Sequence, residues 1–154
     1  MSKLKMSLEK ESDLCRVTLG GIIDEDADFN DINEQACSSF HFDFEAVEMI
    51  NSCGIREWTN LINRLPENVE LKYFKCTPDV IEQINMIVDF LGKGAIVENF
   101  YAPYFCEKCD EERRVLLTSK EVNESVAPVK TCSVCSSKLE FDALEDQYFA
   151  FLNK

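Results

Sequence analysis

The sequence predicts an α/β protein: a mixed β-sheet with helices packed on it, followed by a small cysteine-rich β module. Two observations point there. Through about the first hundred positions, apolar residues fall repeatedly first at the two-residue spacing of strands and then at helical spacing. The cysteines then change character. Cys15, Cys37, Cys53 and Cys76 stand singly, whereas Cys106, Cys109, Cys132 and Cys135 form two Cys-x-x-Cys pairs. With 45% hydrophobic and 29% charged residues, the 154-residue chain can build a core, which sets disorder aside.

The elements follow in order. Leu4, Met6 and Leu8 alternate with polar residues, as do Cys15, Val17 and Leu19, and a turn near Glu11-Ser12-Asp13 joins the two runs as a hairpin. Gly20-Gly21 marks a bulge or bend before Ile22-Ile23-Asp24. Phe40, Phe42 and Phe44 alternate with His41 and Asp43, and the run Ala46 to Ile50 continues extended. Ile55, Trp58, Leu61, Ile62 and Leu65 share one face of a helix that Pro66 helps to end. Val69, Leu71 and Tyr73 read as a strand. Thr77-Pro78 then opens a helix, with a capping hydroxyl before a first-turn proline. Ile81, Ile84, Val88 and Leu91 form its apolar stripe, and Gly92 suits its C-terminal cap. Gly94 to Phe100 supplies a last strand. Tyr101-Ala102-Pro103-Tyr104 is the natural joint, since proline interrupts a strand ladder. The expected units are residues 1–103 and 104–154.

Between Cys109 and Cys132 lie 22 residues, enough for a hairpin between two thiolate pairs. Val115-Leu116-Leu117 supplies one strand, Ser119 to Ser125 a polar tip, and Val126 to Val129 the return. Lys138 to Phe141 offers a third. Cys106, Cys109, Cys132 and Cys135 together make a zinc ribbon around one structural Zn²⁺, whose binding would stabilise a module with little core of its own. Four protein ligands leave no open position for Lewis-acid catalysis. Two disulfides or a dithiol redox pair are the alternatives. The absence of a signal-like apolar N-terminal run, and of proline or tryptophan inside either motif, weighs against them. The tail Leu144, Tyr148, Phe149, Phe151 and Leu152 is apolar at near-helical spacing. It predicts a helix closing this module onto the first domain, ahead of an external docking helix.

Charge narrows the function classes. The formal net charge is −13, and residues 1–103 carry 19 acids against 9 bases. Such a surface repels phosphate backbones, which argues against nucleic acid and for a protein partner. No run approaches a membrane span, and the expected location is cytoplasmic. Val17 to Ile55 contains no Lys or Arg and nine acids, concentrated in the acidic segment 24–48. Asp24-x-Asp26-x-Asp28 suggests a calcium loop, but Phe29 replaces the required glycine and Gln35 the closing glutamate. A solvated face, or a docking surface for a basic partner, is the better reading. His41 reads as a strand-surface residue.

The stretch Ile50-Asn51-Ser52-Cys53-Gly54-Ile55, between a strand and an amphipathic helix, resembles the Asp-Ser-Ser-Gly-Leu signature of the STAS family, the anti-sigma factor antagonists and sulfate-transporter tail domains. Leu19-Gly20-Gly21-Ile22-Ile23-Asp24 is similar to that family's early Gly-x-hydrophobic-Asp segment, and Lys75-Cys76-Thr77-Pro78-Asp79-Val80 to the turn before its next helix. The resemblance implies a STAS-like fold over about residues 6–100 and a phosphoacceptor at Ser52, flanked by the switch-region residues Asn51, Cys53 and Gly54. It also implies a partner of the anti-sigma factor or serine-kinase type. Asn51 replaces the usual Asp and Cys53 the second small hydroxyl residue; as a plain alternative, Ser52 caps the helix. No nucleophile–base pair, phosphate loop or open metal site is legible, and Cys53 lacks a nearby base, so an enzyme is not expected. The expected function is a non-enzymatic signalling adaptor. The alternative is a transcription-complex or nucleic-acid-associated accessory protein acting through the ribbon. The sequence does not determine the oligomeric state.

Overall fold

A computed structural model of the chain describes residues 3–87 and 89–153. Its first sheet has five strands in the order β1-β2-β3-β4-β5. They are β1 (Leu4–Glu11), β2 (Leu14–Ile23), β3 (Ser39–Ile50), β4 (Glu70–Phe74) and β5 (Ile96–Val97). The β1–β2 hairpin is antiparallel and every later pairing is parallel, so the sheet is mixed, as predicted. Ser12 turns the hairpin at a φ of 57°. The β2–β3 ladder slips at Gly20 and again after Gly21, which is the expected bulge. Gly21 has a φ of +77°, and a Cβ there would strike the Lys3 carbonyl.

Strand alternation sends Cys15, Val17, Leu19, Phe40, Phe42, Phe44, Leu71 and Tyr73 into the core. Helix α2 (Ser52–Arg64) lays Trp58 on this face, with its ring 4.9 Å from Phe42 and 5.2 Å from Phe44. Buried Trp and Tyr need partners for their polar atoms. Trp58 Nε1 donates to the Phe90 carbonyl at 3.0 Å, and the Tyr73 hydroxyl to the Leu91 carbonyl at 2.9 Å. Those two bonds fix the path of the chain after helix α3 (Pro78–Met86), which ends sooner than its apolar spacing predicts. Leu91 therefore lies beyond the helix, Val88 falls outside the described residues, and Gly92 is not the helix cap. Gly92 instead turns at a φ of +93° where a Cβ would press on Ile62 and Leu71. Between β2 and β3 the only helix among the described residues is the single turn α1 (Asn30–Asn33), anchored by buried Phe29 and Ile32.

The predicted strand Gly94 to Phe100 divides. Ile96–Val97 closes the first sheet, and Asn99 begins β6 (Asn99–Cys106), the centre of a second, antiparallel sheet in the order β7-β6-β8. β7 is Glu111–Thr118 and β8 is Glu140–Phe141. Pro103 does not interrupt this ladder: β6 pairs with β7 on both sides of it, with Pro103 opposite Arg114. No strand forms over Val126–Val129. That segment stays irregular while the Tyr104 hydroxyl donates to the Pro128 carbonyl at 2.6 Å, and Glu140–Phe141 takes the open edge of β6. The tail folds back as predicted. Helix α4 (Glu145–Tyr148) and a 3₁₀ turn (Phe149–Asn153) bring Phe149 and Phe151 against Phe100, the latter pair perpendicular at 5.0 Å. α3 packs against β3, β6 and this tail, so one continuous hydrophobic core runs through both sheets.

Candidate functional site

Cys106 ends β6, and Cys109 lies in the turn that leads into β7. Cys132 and Cys135 lie on a second turn, closed by the bridge between Thr131 and Lys138 and by the Cys132 N–H donating to the Ser137 carbonyl at 2.8 Å. The two turns match. Each has a left-handed residue just after its second cysteine, Asp110 at φ 56° and Ser136 at φ 63°. Each also aims a backbone N–H at its first sulfur: Cys109 N–H to Cys106 Sγ, and Val134 N–H to Cys132 Sγ, both at 3.4 Å. All four sulfurs lie within 4.8 Å of one another. Cys106 and Cys135 are 3.4 Å apart and Cys109 and Cys132 3.9 Å. A tetrahedral ion with metal–sulfur bonds of about 2.3 Å needs sulfurs about 3.8 Å apart, whereas a disulfide needs about 2.05 Å. The sulfurs are free thiols at metal-ligand spacing, and the donor set fits a metal ion.

The surroundings favour thiolates on the second turn, at Cys132 and Cys135. Cys132 is drawn down to about 6 by the N–H groups of Cys135 and Val134, assisted by Arg113. Arg113 on β7 lies close enough to the Cys132 and Cys109 sulfurs for their charge to raise its pKa, a cation beside a site whose four thiolates would leave a divalent ion net negative. Cys109 is pushed up to about 12 by hydrogen bonding to Cys135 and by burial. No local sequence signal separates Arg113 from its neighbour Arg114. The place of Arg113 opposite Pro103's neighbour Tyr104 in the β6–β7 ladder is what turns it toward the sulfurs.

The second site is the junction between β3 and α2. The Asn51 N–H donates to the Ile23 carbonyl at 3.1 Å, keeping residue 51 extended, and the Gly54 N–H donates to Asn51 Oδ1 at 2.8 Å. Asn51 is therefore the N-cap. The capping alternative for Ser52 is corrected, because the helix begins at Ser52 itself, directly after β3 ends at Ile50 and Asn51 turns the chain. Ser52 is the first helical residue and exposed, and its hydroxyl makes no hydrogen bond among the described residues. Gly54 is buried against the end of β2: a Cβ there would lie 2.5 Å from the Ile23 carbonyl carbon, with the oxygen nearer still. Cys53 is half-buried and accepts from Arg56 at 3.4 Å. Thr77, the expected cap of α3, stands at the N-cap position, but its buried hydroxyl makes no capping bond.

Asn51 also explains the departure from an acidic residue at this position. Its Nδ2 donates to Glu25 Oε2 at 3.4 Å, which a carboxylate would repel. The carboxylates of Asp24, Glu25 and Asp26 converge within 4.8 Å of one another, Asp24 buried and accepting from the Asp26 N–H at 3.0 Å. The acidic segment thus abuts the N-terminus of α2. A group placed on Ser52 would meet the positive end of the helix, with Arg56 one turn on and carboxylates on the β2 side. His41 is half-buried on the opposite sheet face with its ring 5.1 Å from Phe74. Burial, then the Lys72 and Arg16 cations, hold its pKa below the usual histidine value.

No protein-family model matches the sequence, and no curated protein does. Among solved structures, an anti-sigma factor antagonist from Mycobacterium paratuberculosis superposes with a TM-score of 0.50 at 17% identity, covering 61% of this chain and 85% of that one. The mixed sheet with its packed helices is therefore a STAS-like fold. None of the described helices is long and apolar enough to cross a membrane.

Proposed function

We propose that this chain is a non-enzymatic regulatory adaptor of the anti-sigma factor antagonist kind. In this reading residues 1–103 bind a protein partner, an anti-sigma factor or serine-kinase-like regulator, and residues 104–154 form a zinc-ribbon unit, in a cytoplasmic protein. The observation that carries the reading is the β3–α2 junction. Because Asn51 supplies the cap, the exposed Ser52 hydroxyl is free for phosphorylation without loss of the helix. A phosphate there would bring up to about two negative charges beside Glu25 and the acidic loop, and so change the charge offered to a partner. Asn51, Cys53 and Gly54 are the contacts around the switch. Cys106, Cys109, Cys132 and Cys135 would hold one Zn²⁺, which supplies structural cross-linking and no open coordination position.

Native mass spectrometry of protein purified from its own cells tests this directly, reporting zinc, phosphate and bound partner together. Partners recovered by the wild type should bind Ser52→Ala normally and Ser52→Glu at least about tenfold more weakly. Identical binding of both variants to every recovered partner would refute the switch.

A further inference from the structure

The cleft between α3 and the C-terminal tail is not used by either site above. Asp79, Glu82 and Met86 of α3 form one wall, Leu144, Gln147 and Tyr148 the other, enclosing a volume of about 590 Å³. Asn85 Nδ2 donates to the Tyr148 carbonyl at 3.0 Å and ties the walls together, so the cleft is preformed. Met86 and Leu144 are 65% and 66% exposed, large apolar side chains left facing solvent at its lips. Every charged residue lining the cleft is acidic, and Glu145 and Asp146 follow Leu144 directly. The one strand residue that lines it is Pro103, which has no N–H to offer an added strand.

We infer that this cleft is a docking groove for an amphipathic helical segment of a partner protein, apolar on the face that meets Met86 and Leu144 and flanked by Lys or Arg. The apolar lips supply the burial that holds a helix in a groove. The acidic walls select a basic partner and disfavour an acidic one. The groove forms only where α3 meets the tail, so both parts of the chain build it. It operates whether or not Ser52 is modified.

A displayed library of random helix-forming peptides about 16 residues long, panned on the full-length protein, tests this. Enriched peptides should carry apolar residues at helical spacing and a net positive charge. A synthetic copy should lose at least about tenfold in affinity to the Met86→Ser/Leu144→Ser double variant, whose far-UV circular dichroism should match the wild type. Glu82→Gln should weaken it and flatten its salt dependence, while Ser52→Glu leaves it unchanged. No enrichment, enrichment of acidic or neutral peptides, or equal binding to the double variant would overturn the inference. So would a dimer of the protein alone that the double variant abolishes, since the occupant would then be a second copy.

Discussion

Gly54→Ala puts the packing of the β3–α2 junction to the test. The added Cβ would lie 2.5 Å from the Ile23 carbonyl carbon and 2.9 Å from its Cγ2. Carbon atoms rest at about 3.5 Å, so the start of α2 must retreat from β2 by about 1 Å. That shift strains the Asn51 N–H to Ile23 bond at 3.1 Å. It also draws on Trp58, which is fully buried and stacked edge-on to Phe29, Phe42 and Phe44. Overpacking of this kind costs about 1–3 kcal/mol, and the better helix propensity of alanine returns under about 1 kcal/mol near a helix start. The expected net loss is about 2 kcal/mol, a fall in Tm of about 4–8 °C for a chain this size. Urea titration followed by Trp58, the only tryptophan, reads it directly as a lower midpoint at unchanged slope. A variant as stable as the wild type would refute the packing argument, because the helix would then be free to move where the structure fixes it.

Three further outcomes follow from the same geometry. Asn51→Asp keeps the cap but places a carboxylate beside Glu25; it should cost about 0.5–1 kcal/mol at low ionic strength and recover in high salt, as salt-dependent denaturation would show. Metal held by the four cysteines should be released in acid, where protons compete for the thiolates, and Cys109→Ser should lose the ion at neutral pH to a chromogenic chelator that leaves the wild type loaded; equal retention by variant and wild type would contradict the four-thiolate site. Glu45 accepts from the Tyr101 hydroxyl at 2.8 Å and pairs with Lys75 at 3.1 Å, and these bonds depress its pKa. Its contribution is therefore present above the ordinary glutamate range and lost as pH falls below it. Tyr101→Phe should cost under about 1 kcal/mol at pH 7 and progressively less as pH falls through the lowered Glu45 pKa, as urea titrations across that range would show.

The junction, the thiol cluster and the cleft each join distant segments. Glu25 meets Asn51 where β2 and β3 end, Cys109 meets Cys132 across two turns, and Asn85 on α3 meets Tyr148 on α4. Of the three, sequence spacing gave only the thiol pairing; the partners of Asn51 and Asn85 carry no local signal. Arg113 was indistinguishable from its neighbour Arg114 until the β6–β7 ladder fixed which one turns toward the sulfurs.

What the sequence determined by itself was local. Period-two alternation of Cys15, Val17, Leu19 and of Phe40, Phe42, Phe44 fixed two core strands, helical spacing fixed α2, and two Cys-x-x-Cys spacings fixed the thiol cluster, because each signal is written within a few residues. Tertiary structure decided the rest. The bond from the Asn51 N–H to the Ile23 carbonyl holds residue 51 extended, so the helix starts at Ser52 and Asn51, not Ser52, is the cap. The needs of buried Trp58 and Tyr73 for carbonyl partners cut α3 short of Leu91 and Gly92. The second sheet claimed Asn99–Cys106 as its central strand, straight through Pro103, because pairing with β7 and β8 satisfied more backbone than a longer β5 could. Periodicity says which face of an element is apolar; which surface covers it depends on partners far along the chain, and no local pattern encodes them.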